Sequence, residues 1–171
     1  DALIEDVKKY LKRTFNNEDF EKEKKLIKQK YEEKRERLLD NLNKETLKNN
    51  FQVKAAPNGI YMLPVFEGKT LDEAEFDKLD DAIKSRYEEK SPIVQEQIMQ
   101  VIGQLKLIEK ESEKKIDEWQ SNIALLTINA YINPIRANYK KNTKITTFLD
   151  NVKKDILKNI EHFIAEEIAT P

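Results

Sequence analysis

The sequence contains 171 residues, of which 37% are charged and 39% hydrophobic, and its 31 basic residues nearly balance its 32 acidic ones. The net charge of −1 excludes an overall positive field that would attract nucleic acid or anionic lipid. The absence of cysteine excludes disulfide bonds. This composition is typical of long amphipathic helices in water rather than of a compact α/β enzyme. No signal peptide and no apolar run near 18 residues is found, so no membrane span is predicted. The chain begins with Asp rather than Met, so we expect either a piece of a longer protein or a processed terminus.

The first 50 residues contain neither glycine nor proline and are predicted to form two helices. Apolar residues at a spacing of three to four predict a first helix that ends near Asn16-Asn17. The second helix is expected from about Glu18 to Lys48. Its apolar stripe follows an eleven-residue repeat and is thin, so it requires a partner helix. The members of the stripe are Phe20, Ile27, Tyr31, Leu38 and Leu42.

Residues 51–68 read as a β-hairpin. Asn58-Gly59 is the dipeptide that most readily forms a two-residue turn with φ above zero at both positions. Pro64 lacks an amide proton, which favours an edge strand or a bulge over a central strand. The apolar residues after the turn are Ile60, Tyr61, Met62, Val65 and Phe66.

An acidic connector and a long heptad stripe follow the hairpin. Thr70 and Glu73 fit a capping box, and a helix is expected from about Asp80. Ser91-Pro92 predicts a restart or a kink, because proline inside a helix costs about 3 kcal/mol. The heptad stripe beyond it predicts the antiparallel partner of the second helix. It consists of Val94, Ile98, Val101, Leu105 and Ile108.

Residues 121–139 are the most apolar part of the chain and predict the buried helix of a bundle, which Asn133-Pro134 is expected to end or kink. A last helix is predicted to extend to about Ile168. We therefore expect a mainly α fold in three parts. Residues 1–16 and 116–171 form a helical bundle, 17–50 and 80–115 a long antiparallel two-helix coiled-coil arm, and 51–68 a β-hairpin at its tip.

The residues offer no recognisable catalytic, cofactor or metal site, so the fragment alone is not expected to be an enzyme. Three glycines at positions 59, 68 and 103 exclude a P-loop and a dinucleotide fingerprint. His162 is the single histidine, and a structural role near a helix end is favoured over catalysis. Trp119 is favoured as core rather than as a ligand platform. The basic residues Lys140, Lys141 and Lys144 are favoured as a solvated turn over an anion site.

Several short motifs lie around the hairpin and near the C-terminus. They are Pro57-Asn58-Gly59, Pro64-Val65, Glu67-Gly68-Lys69, Glu75-Phe76, Leu79, then Phe148-Leu149-Asp150-Asn151-Val152 and Asp155-Ile156-Leu157-Lys158-Asn159-Ile160 before Phe163. Together these motifs resemble the helical domain of Lon-like ATP-dependent proteases of the LonB/LonC type. The likeness covers nearly the whole chain.

The resemblance implies that this chain is an insert in an AAA+ ATPase module. The P-loop, with its ATP and Mg²⁺, and the Ser–Lys pair of a serine endopeptidase would lie elsewhere in the parent protein. The family also implies a cytoplasmic location and a homo-oligomer of sister subunits, with six as the expected number. Ser91-Pro92 and Asn133-Pro134 depart from the uninterrupted helices expected in the family.

Two functions follow as hypotheses. In the first, the domain handles or gates unfolded protein substrates at the entrance of a proteolytic chamber, and Ile60, Tyr61, Met62, Val65 and Phe66 contact the substrate. Alternate residues of the hairpin could instead pack onto the arm and only stabilise its tip. In the second, the chain is a self-standing coiled-coil interaction module, such as a chaperone or adaptor. Neither hypothesis includes a nucleic-acid or membrane partner.

Overall fold

The structure, a computed structural model, describes residues 2–165 and is mainly helical with one small antiparallel sheet. This confirms the predicted mainly α fold with a β-hairpin. The predicted end of the last helix near Ile168 lies outside the described residues. The elements are α1 (Ala2–Phe15), α2 (Glu18–Leu47), β1 (Phe51–Ala56), β2 (Gly59–Phe66), β3 (Lys69–Thr70), α3 (Glu73–Asp77), α4 (Asp81–Asn138), α5 (Thr143–Lys158) and α6 (Ile160–Ala165).

The chain divides into two compact units, each with its own apolar core. The first, here the terminal unit, comprises Asp1–Lys28 and Glu113–Pro171, of which 2–28 and 113–165 are described. The second, the central unit, is the continuous segment Gln29–Ser112. Helices α2 and α4 contribute residues to both units.

The core of the terminal unit forms where the apolar side chains of α1, spaced three to four residues apart, pack against the apolar part of α4. Val7, Leu11 and Phe15 are at most 2% exposed and cluster with residues of α4 and α5. Phe20 stacks on Trp119 with ring centroids 4.4 Å apart, which confirms Trp119 as part of the packing. The other buried members of this core are Ala124, Ile128, Ile132, Leu149, Ile156 and Ile160.

The core of the central unit joins the end of α2, the sheet and the first part of α4. Leu42 of α2 clusters with Val94 and Ile98 of α4, and Lys34 lies 3.8 Å from Glu111. Within the central unit, α2 and α4 therefore run antiparallel, as the two apolar stripes predict. These apolar contacts supply the partner that the thin stripe of α2 requires.

Helix α4 runs through both proline sites without a break. Of the restart or kink predicted at Ser91-Pro92, the restart is therefore wrong, and the kink stays a prediction. Of the end or kink predicted at Asn133-Pro134, the end is also wrong, because α4 continues to Asn138. Each proline removes one main-chain hydrogen bond. A buried residue lies two positions from each proline. Val94 follows Pro92, Ile132 precedes Pro134, and both are at most 1% exposed. This packing holds the helix where its local sequence would end it.

The sheet has the order β1-β2-β3, and both of its turns differ from the predicted one. Ala56 pairs with Gly59, so the first turn is Pro57-Asn58 and not Asn58-Gly59. Proline sets the φ that the first central position of a common turn requires, and glycine then follows the turn. The turn with φ above zero at both central residues is Glu67-Gly68, with φ of 50° and 78°. It adds β3, a short strand that the sequence did not predict.

The acidic connector forms α3, but its cap lies two residues later than predicted. Thr70 belongs to β3. The Asp72 side chain accepts a hydrogen bond from the Glu75 amide, and the Glu75 side chain accepts one from the Asp72 amide. The predicted box of Thr70 and Glu73 is therefore wrong, because Thr70 pairs within β3 and Glu73 is already the first residue of α3.

Candidate functional site

The five predicted contact residues do not share one surface. Ile60 and Met62 are half-buried and pack against the core of the central unit. Tyr61 lies between them in β2 and is 47% exposed, as expected because successive side chains of a strand point to opposite faces. Val65 and Phe66 are half-buried and pair with β3. The structure thus places Ile60 and Met62 in packing positions and Tyr61 outward.

An open apolar groove of about 530 Å³ lies beside the sheet, within the central unit. Its walls are formed by the first residue of β1, the middle of β2, α3 with the two residues before it, and the first part of α4. Met62 is the one predicted contact residue in its lining. The complete lining is Phe51, Met62, Leu63, Pro64, Leu71, Asp72, Glu73, Phe76, Tyr87, Glu88, Ser91, Pro92 and Gln95.

Three aromatic rings from three elements build the apolar base of the groove. Tyr87 meets Phe51 and Phe76 edge to face, each with ring centroids 5.6 Å apart. The Tyr87 hydroxyl donates a 2.6 Å hydrogen bond to the Val65 carbonyl, and burial raises the pKa of this phenol above its ordinary value. The carbonyl is available because the Asn50 amide, its expected ladder partner, bonds instead to Leu47. Tyr87 therefore fixes β2 to α4.

The rim of the groove carries negative charge. Asp72, Glu73 and Glu88 line it, and no Lys or Arg does. Asp72 caps α3, whereas Glu73 and Glu88 are exposed and have no ion-pair partner among residues 2–165. Glu75 does not line the groove, and its hydrogen bond to Lys69 lowers the pKa of its carboxyl. The two unpartnered carboxylates are the polar groups best placed to meet a cation.

The remaining candidates from the sequence lie in the terminal unit. His162 is exposed and borders a small polar cavity of about 250 Å³ with Asp117 and Ser121. The basic residues Lys140, Lys141 and Lys144 are exposed around the turn between α4 and α5. Within residues 2–165, no group of three His, Cys, Asp or Glu side chains could hold a metal ion.

No protein-family model and no curated protein matches this chain. No helix in the described part of the chain combines the length and the apolar character needed to cross a membrane. The groove is therefore interpreted from its own geometry. Its apolar base and acidic rim can bind an apolar group that carries a neighbouring positive charge.

Sequence reasoning missed most of the groove lining. Phe51, Phe76 and Tyr87 belong to separate elements, and their spacing in the sequence does not indicate that they meet. One signal was present. Phe76 follows a run of acidic residues in a short connector, where an isolated large apolar side chain needs a tertiary contact to be buried.

Proposed function

We propose that this chain is an accessory helical domain of an ATP-dependent Lon-type serine protease and handles unfolded substrate at the chamber entrance. The motifs that carry the family resemblance support this proposal, because many of them fall within one feature of the central unit. Pro57-Asn58-Gly59 and Glu67-Gly68-Lys69 contain the two turns of the sheet, Pro57-Asn58 and Glu67-Gly68, and Pro64 and Phe76 line the groove. The P-loop, ATP, Mg²⁺ and Ser–Lys pair belong to the parent protein in this proposal, as does a cytoplasmic homo-oligomer of six subunits.

The apolar groove is the observation that carries the proposal. A concave apolar surface binds apolar side chains of an unfolded polypeptide without requiring one sequence, as substrate handling demands. Met62 contributes to the groove, and Tyr61 presents an aromatic ring on the opposite face of β2. Ile60, Val65 and Phe66 support these surfaces from half-buried positions.

A side chain that fills the groove tests the proposal. Gln95 lines the groove from α4 and is exposed, so Gln95→Trp should occupy the groove without disturbing the core. Gln104→Trp, on an exposed position of α4 outside the lining, is the matched control. We expect Gln95→Trp to weaken binding of a fluorescent unfolded polypeptide to this chain several-fold and to slow its ATP-dependent degradation by the parent enzyme. Equal binding by both variants would contradict the proposal.

A self-standing coiled-coil chaperone or adaptor is the alternative function. It is favoured by apolar side chains on α4 that face solvent, because Met99 and Leu107 are 67% and 63% exposed. Such residues can contact a further helix. The flanking coding sequence distinguishes the two functions. A P-loop upstream and a Ser–Lys protease domain downstream support the protease, whereas start and stop codons close to residues 1 and 171 support the free-standing module.

A further inference from the structure

The two long edges of the sheet differ in what covers them. On the β1 side, the Asn43 side chain of α2 accepts a 3.1 Å hydrogen bond from the Val53 amide, which points away from β2. The Asn43 side chain therefore already accepts the hydrogen bond of the Val53 amide, which faces away from the sheet. An occupied donor of this kind cannot pair with an added strand.

The β2 edge is open over part of its length. The Val65 amide donates to Asn50 on the β1 side, so every second residue back from Val65 also points towards β1. Ile60, Met62 and Pro64 must then direct their main-chain groups the other way. On that side β3 pairs only with Val65 and Phe66, and the Leu71 amide donates to the Pro64 carbonyl. Within residues 2–165, the outward amides and carbonyls of Ile60 and Met62 have no partner.

This open edge borders the apolar groove. Met62, Leu63 and Pro64 belong to both β2 and the groove lining. Pro64 offers no amide proton and its carbonyl is already bonded, so pairing along the edge stops there. A strand added at Ile60 and Met62 would reach the groove with its next residues.

We propose that the open edge of β2 binds an extended segment of unfolded polypeptide by strand addition. The main chain of the segment pairs with Ile60 and Met62, and one of its apolar side chains enters the groove. A Lys or Arg two positions along, on the same face of the added strand, lies beside Glu73 or Glu88. Main-chain pairing supplies affinity for many sequences, and the groove and rim select the side chains. This inference rests on the proposed function and names the form and charge of its substrate.

Hydrogen exchange on the full chain tests the strand addition directly. The probe is a short synthetic peptide in which Leu and Lys occupy alternate positions two residues apart, with Thr between them, so that both side chains lie on one face of the strand. On binding, the Ile60 and Met62 amides should exchange at least about tenfold more slowly, because new main-chain hydrogen bonds protect them. The Tyr61 amide points towards β1 and serves as the internal control, with slow exchange in both states. The same peptide with N-methylated main-chain amides should bind without this protection or not at all.

A pair of variants separates the main chain from the side chain at position 62. Met62→Pro removes the outward amide and the side chain, whereas Met62→Ala removes the side chain alone. We expect the peptide to bind Met62→Pro about fivefold more weakly than Met62→Ala, as the loss of one hydrogen bond implies. Slow exchange of the Tyr61 amide in Met62→Pro would establish that the sheet is retained.

Peptide charge tests the role of the rim. A peptide with Glu in place of Lys should bind about fivefold more weakly at low salt, and the difference should shrink as salt is added. Glu73→Gln combined with Glu88→Gln should remove this preference.

The outcomes separate the two proposals. If the Lys peptide binds and Gln95→Trp abolishes binding, but Ile60 and Met62 gain no protection, strand addition is wrong and the proposed function stands. Equal binding of the Lys and Glu peptides would overturn the assignment of the rim. If neither these peptides nor an unfolded protein binds, both proposals fail.

Discussion

Gly68 and Gly103 stand in opposite conformational situations, although neither has a close neighbour. A Cβ added at either position would meet no heavy atom within 4 Å. Gly68 has a φ of 78° in the turn between β2 and β3, a conformation that side chains rarely adopt. Gly103 lies inside α4 with ordinary helical φ. Substitutions at these two glycines therefore report on backbone conformation alone, because an added methyl group would meet no neighbour.

Alanine at these two positions should change stability in opposite directions. Gly68→Ala is expected to lower the free energy of unfolding by about 1 kcal/mol because of its left-handed φ. Gly103→Ala should raise it by about 0.5–1 kcal/mol, since glycine weakens a helix interior. Chemical denaturation of both variants measures the difference. A gain in stability for Gly68→Ala would contradict the turn geometry.

Tyr87 couples the sheet to α4 through one buried hydroxyl, and it makes stability depend on alkaline pH. Its side chain is 7% exposed and its pKa is raised by burial. The unfolded chain therefore releases this proton first, near the ordinary tyrosine pKa of about 10. Above that pH the unfolded state binds fewer protons than the folded state, so the free energy of unfolding falls.

Tyr87→Phe should remove both effects of the hydroxyl. At neutral pH the variant is expected to be about 1 kcal/mol less stable, because the hydrogen bond to Val65 is lost. As the pH rises from about 9 to 11, the difference between the wild type and the variant should narrow. Denaturation across this range, with Tyr139→Phe as an exposed control, provides the measurement. A constant difference would contradict a raised pKa for Tyr87.

At the scale of elements, α4 continues through two prolines that its local sequence would use as ends. The penalty for a proline in a helix interior is about 3 kcal/mol. Buried apolar residues lie on α4 on both sides of Pro92, with Tyr87 before it and Val94 after it. Their contacts with the sheet and α2 can exceed that penalty, since a buried large apolar side chain contributes about 1.5–3 kcal/mol.

Replacing either proline with alanine should therefore stabilise the fold. For Pro92→Ala we expect a gain of about 2 kcal/mol, the helix-interior penalty less the roughly 1 kcal/mol by which proline restricts the unfolded chain. Pro134→Ala should behave in the same way in the terminal unit. Thermal denaturation and circular dichroism measure the gain. Unchanged or lower stability for Pro92→Ala would indicate that the helix is interrupted in solution.

The helices could be predicted from the sequence because apolar residues recur along each of them at helical spacing. The turns and the groove could not, because they depend on contacts between residues far apart in the sequence. The stripes of α1, α2 and α4 each contain several apolar residues in phase, so one wrong residue does not alter the prediction. The turn at Pro57-Asn58 depends on register, which is set by the pairing of the whole strand. The groove depends on Phe51, Phe76 and Tyr87 meeting in space, and no local pattern contains that information.

At the scale of the whole molecule, the division into two units has a consequence for folding. The central unit is one continuous segment, Gln29–Ser112, whereas the terminal unit joins two segments far apart in sequence. The central unit also contains a complete apolar core and both turns of the sheet. A continuous segment with its own core has what a domain needs to fold alone.

Residues 29–112 expressed alone should fold and retain the groove. We expect a cooperative thermal transition and slow exchange of the Tyr61 amide, as in the full chain. The joined segments 1–28 and 113–171, connected by a flexible linker, form the complementary test of the terminal unit. Non-cooperative melting of 29–112 would mean that its core does not suffice.

The hydrogen bond from the Val53 amide to Asn43 has a consequence for self-association. Fibrous polymers built by sheet pairing need two free sides on every copy, so that each molecule can join one neighbour ahead and another behind. This protein has an obstructed side and an available side. Two copies could meet through their β2 strands, and growth would end at that pair. Asn43→Ala would remove the obstruction and convert a self-limiting contact into one that can propagate.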